Sequence, residues 1–242
     1  MYEILDWDSG CFEFKVARIN PCKLTEPKLR TVLSQLELEQ VELAYLTIDR
    51  GDPLTHLARR YGALLVDTKV TYIAELRGTD SASLERLPQI RILKGEPTKE
   101  IEDLAIQSGH MSRFAVDPFF PQEKLCLLYR EWIRKSLDGS LAEQVLIWSD
   151  SENEAGGLIT MNISNNIGRI GLVAVGHELR GKGIGFMLVR AAKSYFLTRN
   201  ITQVKVVTQS RNIAACALYK KSGFVESKLE AVFHFWFQQR RD

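Results

Sequence analysis

Three glycines stand at alternate positions in the segment 180–185, between an apolar run rich in β-branched residues and a run of good helix formers. A strand, a glycine loop and a helix in this order favour a phosphate site, because the unpaired amides and the dipole at a helix start attract anions. The P-loop pattern is excluded, since Phe186 and Met187 follow Gly185. The dinucleotide fingerprint also fails, because it needs a glycine at position 186 and an acidic residue about 20 positions later. What remains is Arg-x-x-Gly-x-Gly, starting at Arg180.

A second motif follows the loop in the segment NIAACALYKKSGF, which carries the pattern N-x-x-A-x-x-x-Y-x-x-x-G-F. Asn212 is a natural N-cap and Gly223 a natural C′ residue for the same predicted helix. The ordinary capping preferences of helices therefore explain half of this pattern. Asn212 and Tyr219 carry its functional information.

Together, the two motifs resemble those of the GNAT superfamily of N-acyltransferases in their order and spacing. The segments LDWDSGCFEFKVARI, QSGHMSRFAVDPFF, YREWI and RIGLVAVG are more specifically similar to the TDP-fucosamine acetyltransferase family, and this likeness covers nearly the whole chain. It implies acetyl-CoA or another short acyl-CoA as co-substrate, no metal, and a TDP-linked amino-dideoxyhexose as acceptor in surface-polysaccharide synthesis. The glycine loop is longer than in that family and closer to the general superfamily loop.

The resemblance implies that Tyr219 is the general acid that protonates the departing thiolate. A phenol with an ordinary pKa of about 10 is protonated at neutral pH. We also expect a β-bulge near residues 172–175 that opens this strand away from TQVKVVTQ and frees the Val173 amide for the thioester oxygen. No residue stands out as a general base. The predicted cofactor-binding residues are Leu172, Val173, Val175, Arg180, Gly181, Lys182, Gly183, Ile184, Gly185 and Asn212.

The aromatic and charged loop HMSRFAVDPFF, between two predicted helices, is the candidate acceptor site. Arg113 is suited to pair with a nucleotide diphosphate, and Phe114 to lie against the sugar or the thymine. Asp117 would hold the amine or cap a turn before Pro118. A packed loop with ordinary turn chemistry is the alternative. The predicted substrate-binding residues are Ser112, Arg113, Phe114 and Asp117.

A linker-like stretch, GTDSASLERLPQI, divides the chain. We predict a truncated GNAT-like N-terminal domain over 1–80 and a catalytic GNAT domain over 89–242, both of the α/β class with a mixed sheet. The segment 57–76 aligns with 218–237 without a gap and places Gly62 opposite Gly223, although helix–Gly–strand patterns are common enough to match by chance. If the halves are related, the first lacks the glycine loop, and we expect it to shape a site without performing the chemistry.

Composition excludes several classes of function. A net charge of +2 does not indicate a nucleic-acid partner, and no apolar run approaches the roughly 18 residues of a membrane helix. The N-terminal sequence lacks the apolar core of a signal peptide, and the four cysteines form no CxxC pair. We therefore expect a cytoplasmic protein without a metal site. The aromatic C-terminal run VFHFWF would either support a homodimer or be covered within one chain.

Several functional alternatives remain open at this point. The acceptor amine belongs to C3 or C4 of the sugar, and the acyl group is acetyl or a larger group. A GNAT enzyme acting on a protein N-terminus, a polyamine or an antibiotic amine is the second hypothesis. A non-enzymatic acyl-CoA sensor is the third, although it predicts decay of Tyr219 or of the glycine loop, and both are intact.

Overall fold

The structure is a computed structural model that describes residues 1–78, 87–150 and 155–237. Most of the predicted linker, residues 79–86, lies outside the described residues. Two compact units are present. Unit 1 comprises Met1–Lys69, Ser112–Lys124 and the chain from Lys228 onward, and unit 2 comprises Val70–Met111 and Leu125–Ser227.

Unit 1 is a small sheet covered by helices. Its sheet has the strand order β1-β2-β3-β10, in which β2 and β3 are parallel and the outer pairs are antiparallel. Its core forms where apolar side chains of one face of α2, among them Leu29 and Leu36, pack with strand residues such as Phe233 and Phe235. The elements are β1 (Tyr2–Ile4), α1 (Asp6–Phe12), β2 (Val16–Ile19), α2 (Glu26–Leu38), β3 (Leu43–Asp49), α3 (Leu54–Arg60), the first half of β4 (Leu64–Glu75), α5 (Arg113–Val116) and most of β10 (Val225–Trp236).

Unit 2 contains a mixed sheet in the strand order β4-β9-β8-β7-β6-β5. Strands β8 and β9 are parallel, whereas β5 to β8 form antiparallel pairs. Asn165 and Asn166 both have positive φ, at 53° and 60°, and make the predicted tight turn between β7 and β8. The further elements are β5 (Ile90–Ile92), α4 (Lys99–Ser108), α6 (Gln122–Leu137), β6 (Gln144–Trp148), β7 (Gly157–Ser164), β8 (Ile167–Val175), α7 (Ile184–Thr198), β9 (Gln203–Gln209) and α8 (Ile213–Lys221).

The internal similarity seen in the sequence is present in the secondary structure. Helix α3 leads through Gly62 into β4, and helix α8 leads through Gly223 into β10. Both strands have 12 residues. The two glycines have φ of 79° and 81°, a left-handed conformation that favours glycine. The gap-free alignment of 57–76 with 218–237 therefore matches element for element.

The compact units are assembled differently from the predicted domains of 1–80 and 89–242. Strand β10 pairs with β3 from Glu230↔Asp49 to Trp236↔Leu43, so the end of the described chain belongs to unit 1. The segment 112–124 belongs to unit 1 as well. The placement of an independent catalytic domain over 89–242 thus stays a prediction.

Candidate active site

Strand β8 contains a bulge in unit 2. The register of β7 and β8 shifts between Ile159 and Met161, where Thr160 stands opposite two residues of β8, Gly171 and Leu172. The Leu172 N–H donates to the Thr160 Oγ1 at 2.9 Å, and both residues are buried. A Cβ on Gly171 would lie 2.6 Å from the same oxygen, so this position requires glycine. The predicted bulge exists, and it begins one residue before the expected range.

The bulge determines where the Val173 amide points. Beyond it, Val173 is paired with Ile159, and the Gly176 N–H donates to the Gly156 carbonyl at 2.8 Å. Hydrogen-bonded and non-bonded pairs alternate along an antiparallel ladder. Gly176 is in a hydrogen-bonded pair, so Val175 is in a non-bonded pair, Ala174 in a bonded pair and Val173 in a non-bonded pair. The N–H of Val173 therefore faces away from β7.

On the other side of β8, the parallel pairing with β9 ends early. Its register runs from Gly168↔Val204 to Ile170↔Val206 among the described residues. The half-buried Val173 and Val175 lie beyond that point. The two strands therefore part where the Val173 N–H faces β9, as the sequence predicted.

The glycine loop leads into α7, a helix of 15 residues. Gly183 is its N-cap with φ of 82°, Gly181 has φ of 79°, and no side chain caps the first turn. The side chains of Arg180 and Lys182 are exposed beside this end. Free amides, a helix dipole and two cations together make an anion site.

The remaining predicted cofactor-binding residues have structural roles that limit what they offer a ligand. The Leu172 and Ile184 side chains are buried, so only their backbone is available. A Cβ on Gly185 would lie 3.2 Å from Leu218 Cδ2, so this glycine allows α7 to pack closely on α8. Asn212 Oδ1 accepts the Ala215 N–H at 3.2 Å and caps α8.

Tyr219 lies buried on α8 in the same unit. Its ring centroid is 5.9 Å from that of Tyr72 and 5.8 Å from that of Phe224. Burial raises the pKa of Tyr219 above its ordinary value, and the nearby Cys216 thiol adds to the rise. Burial and the same thiol raise the pKa of Tyr72 to about 12. Both phenols are therefore neutral hydrogen-bond donors at physiological pH.

The predicted acceptor loop in unit 1 contains a short helix, α5, instead of irregular chain. Buried Ser112 caps it by accepting the Ala115 N–H at 3.3 Å, and Phe114 is buried as well. The Asp117 Oδ1 accepts the Phe119 N–H at 3.0 Å, which is the turn-capping role considered for this residue. Of the four predicted substrate-binding residues, only Arg113 keeps part of its side chain accessible.

The other carboxylate oxygen of Asp117 is also occupied. It lies 2.6 Å from His234 Nδ1 and accepts the Trp236 Nε1–H at 2.9 Å. Burial alone would raise the pKa of this carboxyl, but the hydrogen bonds from His234, Phe119 and Trp236 outweigh burial and hold the pKa below its usual range. For His234, burial lowers the pKa to about 4, Asp117 opposes the shift and Arg113 adds to it. A neutral imidazole thus donates to a carboxylate.

Residues 110–224 match the family model described as Acetyltransferase (GNAT) family. This match includes the glycine loop, the bulged strand and Tyr219. The chain contains a GNAT acetyltransferase domain.

Three curated relatives are similar to parts of this chain. Streptothricin acetyltransferase of Escherichia coli is 29% identical in an alignment of 106 residues, with a coverage of 38% of this chain and 61% of the relative. The spore coat polysaccharide biosynthesis protein SpsD of Bacillus subtilis is 27% identical over 139 residues, which cover 57% of this chain and 47% of the relative. The dTDP-fucosamine acetyltransferase of E. coli O6:H1 is 29% identical over 124 residues, which cover 51% of this chain and 52% of the relative. The chain therefore spans about half of the length of these relatives.

Solved structures show that the GNAT fold extends beyond the matched domain. A GCN5-related N-acetyltransferase from Sphaerobacter thermophilus aligns with 98% of this chain and 76% of its own, at a TM-score of 0.59 and 14% identity. A tandem GNAT protein from the clavulanic acid biosynthesis pathway aligns with 92% of this chain and 75% of its own. Its TM-score is 0.56 and its sequence identity is 12%. At these identities the likeness concerns the fold, which the N-terminal half shares with the GNAT domain.

Sequence reasoning missed His234 as a partner of the GNAT domain's Asp117. A histidine within the aromatic strand segment VFHFWF was the available signal, because a polar side chain on a buried strand needs a partner. No group of three or more potential metal ligands occurs among the described residues, and none of the described helices could span a membrane.

Proposed function

We propose that this chain is an acyl-CoA-dependent N-acyltransferase whose acceptor is a TDP-linked amino-dideoxyhexose, used for a surface polysaccharide. The GNAT domain supports acyl transfer. Two of the three relatives have names that refer to an amino sugar or to a polysaccharide. The transferred group is acetyl or another short acyl group.

The observation that carries the proposal is the parting of β8 from β9 next to the glycine-rich start of α7. The free amides of α7, with Arg180 and Lys182, are suited to the pyrophosphate of acyl-CoA. The Val173 N–H, which faces away from β7, is suited to the thioester oxygen. A preorganised donor at that oxygen stabilises the negative charge that develops as the amine attacks.

Tyr219 supplies the second hydrogen bond of the proposed mechanism. As the C–N bond forms and the C–S bond breaks, its hydroxyl donates to the departing sulfur. The raised pKa of this buried phenol keeps it protonated, so it is a reliable donor to a developing thiolate. An amine on an electron-poor sugar ring is less basic than lysine, so its neutral fraction can attack without a protein base, and the proton that the nitrogen loses as the amide forms passes to water.

A second class of acceptor comes from the relative named streptothricin acetyltransferase, whose name refers to an antibiotic. Streptothricin, a polyamine and a peptide N-terminus are cationic and would favour an acidic surface. In the candidate acceptor loop, the one accessible charged side chain is the cationic Arg113, since Asp117 is buried. This charge favours a phosphate-bearing acceptor.

A thiol-release assay tests the proposal. Acetyl-CoA is supplied with TDP-linked 4-amino- and 3-amino-dideoxyhexoses, streptothricin, spermidine or an N-terminal peptide. We expect turnover with one TDP-amino sugar, and we expect Tyr219→Phe to lower kcat by about 10²–10⁴-fold. Tyr195→Phe is the matched control, since it removes the hydroxyl of another buried tyrosine of unit 2, one that contacts Glu143.

Each outcome of this assay is informative. Turnover of streptothricin or spermidine alone would overturn the acceptor class and leave acyl transfer in place. Equal losses in Tyr219→Phe and Tyr195→Phe would contradict a specific role for Tyr219. Tight CoA binding without any turnover would favour the sensor hypothesis.

The proposed setting is the cytoplasm. None of the four cysteines forms a disulfide in the described part of the chain, which agrees with a reducing compartment. A homodimer stays a prediction.

A further inference from the structure

Arg113 in unit 1 has an unusual environment for a cation. Its guanidinium carbon lies 4.1 Å from the ring centroid of Tyr45 and 4.6 Å from that of Phe114. Both rings are buried, whereas the Arg113 side chain is half-buried. No carboxylate among the described residues lies within ion-pair distance of it. The guanidinium therefore lies against two buried aromatic rings, and no carboxylate of the described residues forms an ion pair with it.

A carboxylate is held on the same tyrosine. The Tyr45 hydroxyl donates to Asp8 Oδ2 at 3.0 Å. Asp8 is half-buried on α1 and, within the described part of the chain, makes no ion pair. Burial raises the pKa of Tyr45 well above its ordinary value, Arg113 opposes this shift and Asp8 adds to it. The phenol stays protonated and keeps donating to Asp8.

The Asp117 carboxylate links the helix that carries Arg113 to the neighbouring sheet. Its bonds to Phe119, His234 and Trp236 connect the end of α5 to strand β10. The ring of His234 lies 4.9 Å from that of Tyr45 and 5.8 Å from that of Phe114, the two rings beneath Arg113. Asp117 is therefore a positioning residue, because its side chain is buried and both of its oxygens already accept hydrogen bonds within the protein.

We propose that Asp8, Tyr45 and Arg113 form a two-ended acceptor site on unit 1, in which Arg113 binds the diphosphate of a nucleotide sugar and Asp8 accepts a hydrogen bond from the sugar's amine. A planar guanidinium matches two phosphate oxygens, and stacking on rings leaves its edge free for them. The free oxygen of Asp8 accepts from an amine N–H. The choice of a TDP-linked amino sugar as ligand rests on the proposed function.

Direct binding without acetyl-CoA tests each end separately. Calorimetric titrations use the full chain with three probes: TDP, the TDP-linked 4-amino-dideoxyhexose, and the TDP-linked sugar with a hydroxyl in place of the amine. We expect Arg113→Gln to weaken the binding of all three probes by tenfold or more, because a hydrogen-bonded charge is lost. Arg113→Lys should recover only part of this loss, since lysine lacks the planar fork.

Asp8→Asn should separate the two ends of the site. We expect it to weaken the binding of the amino sugar by about tenfold and to change the affinity for TDP by less than twofold. Tyr45→Phe keeps the ring beneath Arg113 but removes the hydroxyl that holds Asp8, so it should resemble Asp8→Asn in a milder form. Arg18→Gln is the charge control, because Arg18 is an exposed residue of β2 that pairs with Glu3.

The results distinguish this site from the proposed function. Unchanged TDP binding in Arg113→Gln, or equal losses for TDP and the amino sugar in Asp8→Asn, would overturn the site even if acetylation occurs. Wild-type binding with the expected variant pattern but without acetyl transfer would overturn the function and keep the site. Failure of the wild type to bind any probe would overturn the assigned ligand.

Discussion

Thr160 is the residue on which the geometry of the candidate acyl site most directly depends. Its hydroxyl accepts the Leu172 N–H inside the bulge, and the bulge turns the Val173 N–H away from β7. We expect Thr160→Val to destabilise the fold by about 1–3 kcal/mol, because the buried Leu172 amide loses its partner. We also expect a lower kcat, since a relaxed bulge misdirects the proposed oxyanion donor. Thermal denaturation and acetyl-transfer kinetics measure the two effects.

Thr160→Ser is the matched variant, because it keeps the oxygen and removes only a methyl group. It should keep most of the kcat while losing some stability through the missing methyl. If Thr160→Val and Thr160→Ser lose the same fraction of kcat, the hydrogen bond to Leu172 does not position Val173. The NMR chemical shifts of the Leu172 and Val173 amides, compared between the two variants, would give the same answer without an activity assay.

At the scale of elements, the start of α7 depends on one backbone conformation. Gly183 caps this helix with φ of 82°, and nothing lies within 4 Å of the Cβ that another residue would carry. The effect of a substitution is therefore conformational and not steric. We expect Gly183→Ala to cost about 1–2 kcal/mol, because an L-residue is strained in the left-handed region, and to raise the KM for acetyl-CoA.

Gly183→Asn provides the comparison, because asparagine tolerates the left-handed conformation better than alanine does. It should retain more stability and a lower KM for acetyl-CoA than Gly183→Ala. Denaturation curves and initial rates at varied acetyl-CoA give both quantities. The reverse order, with alanine better than asparagine, would show that this conformation is not what the loop requires.

Local patterns explain why much of each element was predictable. The motif from Asn212 to Tyr219 and the loop from Arg180 to Gly185 are short. All of the residues that define each one lie close together in the sequence, so each can be recognised without knowledge of the fold. The parting of β8 from β9 was also predictable, because it followed from the family resemblance. The helix within 113–116 was not, since one turn capped by Ser112 has no periodic pattern to reveal it.

At the scale of the whole molecule, the less predictable features are pairings between distant parts of the sequence. Nothing local indicates that β10 pairs with β3, or that Asp117 meets His234 across 117 positions. The sequence placed Asp117 at the acceptor because an acid beside Arg113 and aromatic residues is typical of a binding loop. Its actual partner depends on the path of the last strand, which no short pattern encodes.

The Asp117–His234 pair predicts how the stability of the molecule depends on pH. The folded pKa of His234 is about 4 against an ordinary 6.5, so between these values the unfolded chain binds the extra proton. Stability should therefore fall as the pH drops from about 6.5 to about 4, by roughly 3 kcal/mol from this residue. The lowered pKa of Asp117 extends the loss below about pH 4, because its carboxylate contributes stability only while ionised.

Urea denaturation at pH 7, 6, 5 and 4 measures this dependence in the wild type and in His234→Asn. Asparagine can still donate an N–H to Asp117 but does not titrate, so its curve should be flatter than that of the wild type between pH 6.5 and 4. Groups that do not contact His234 titrate equally in both proteins and cancel in the difference. Parallel curves would mean that His234 keeps an ordinary pKa in the folded protein, so that protonated His234 forms a buried ion pair with Asp117.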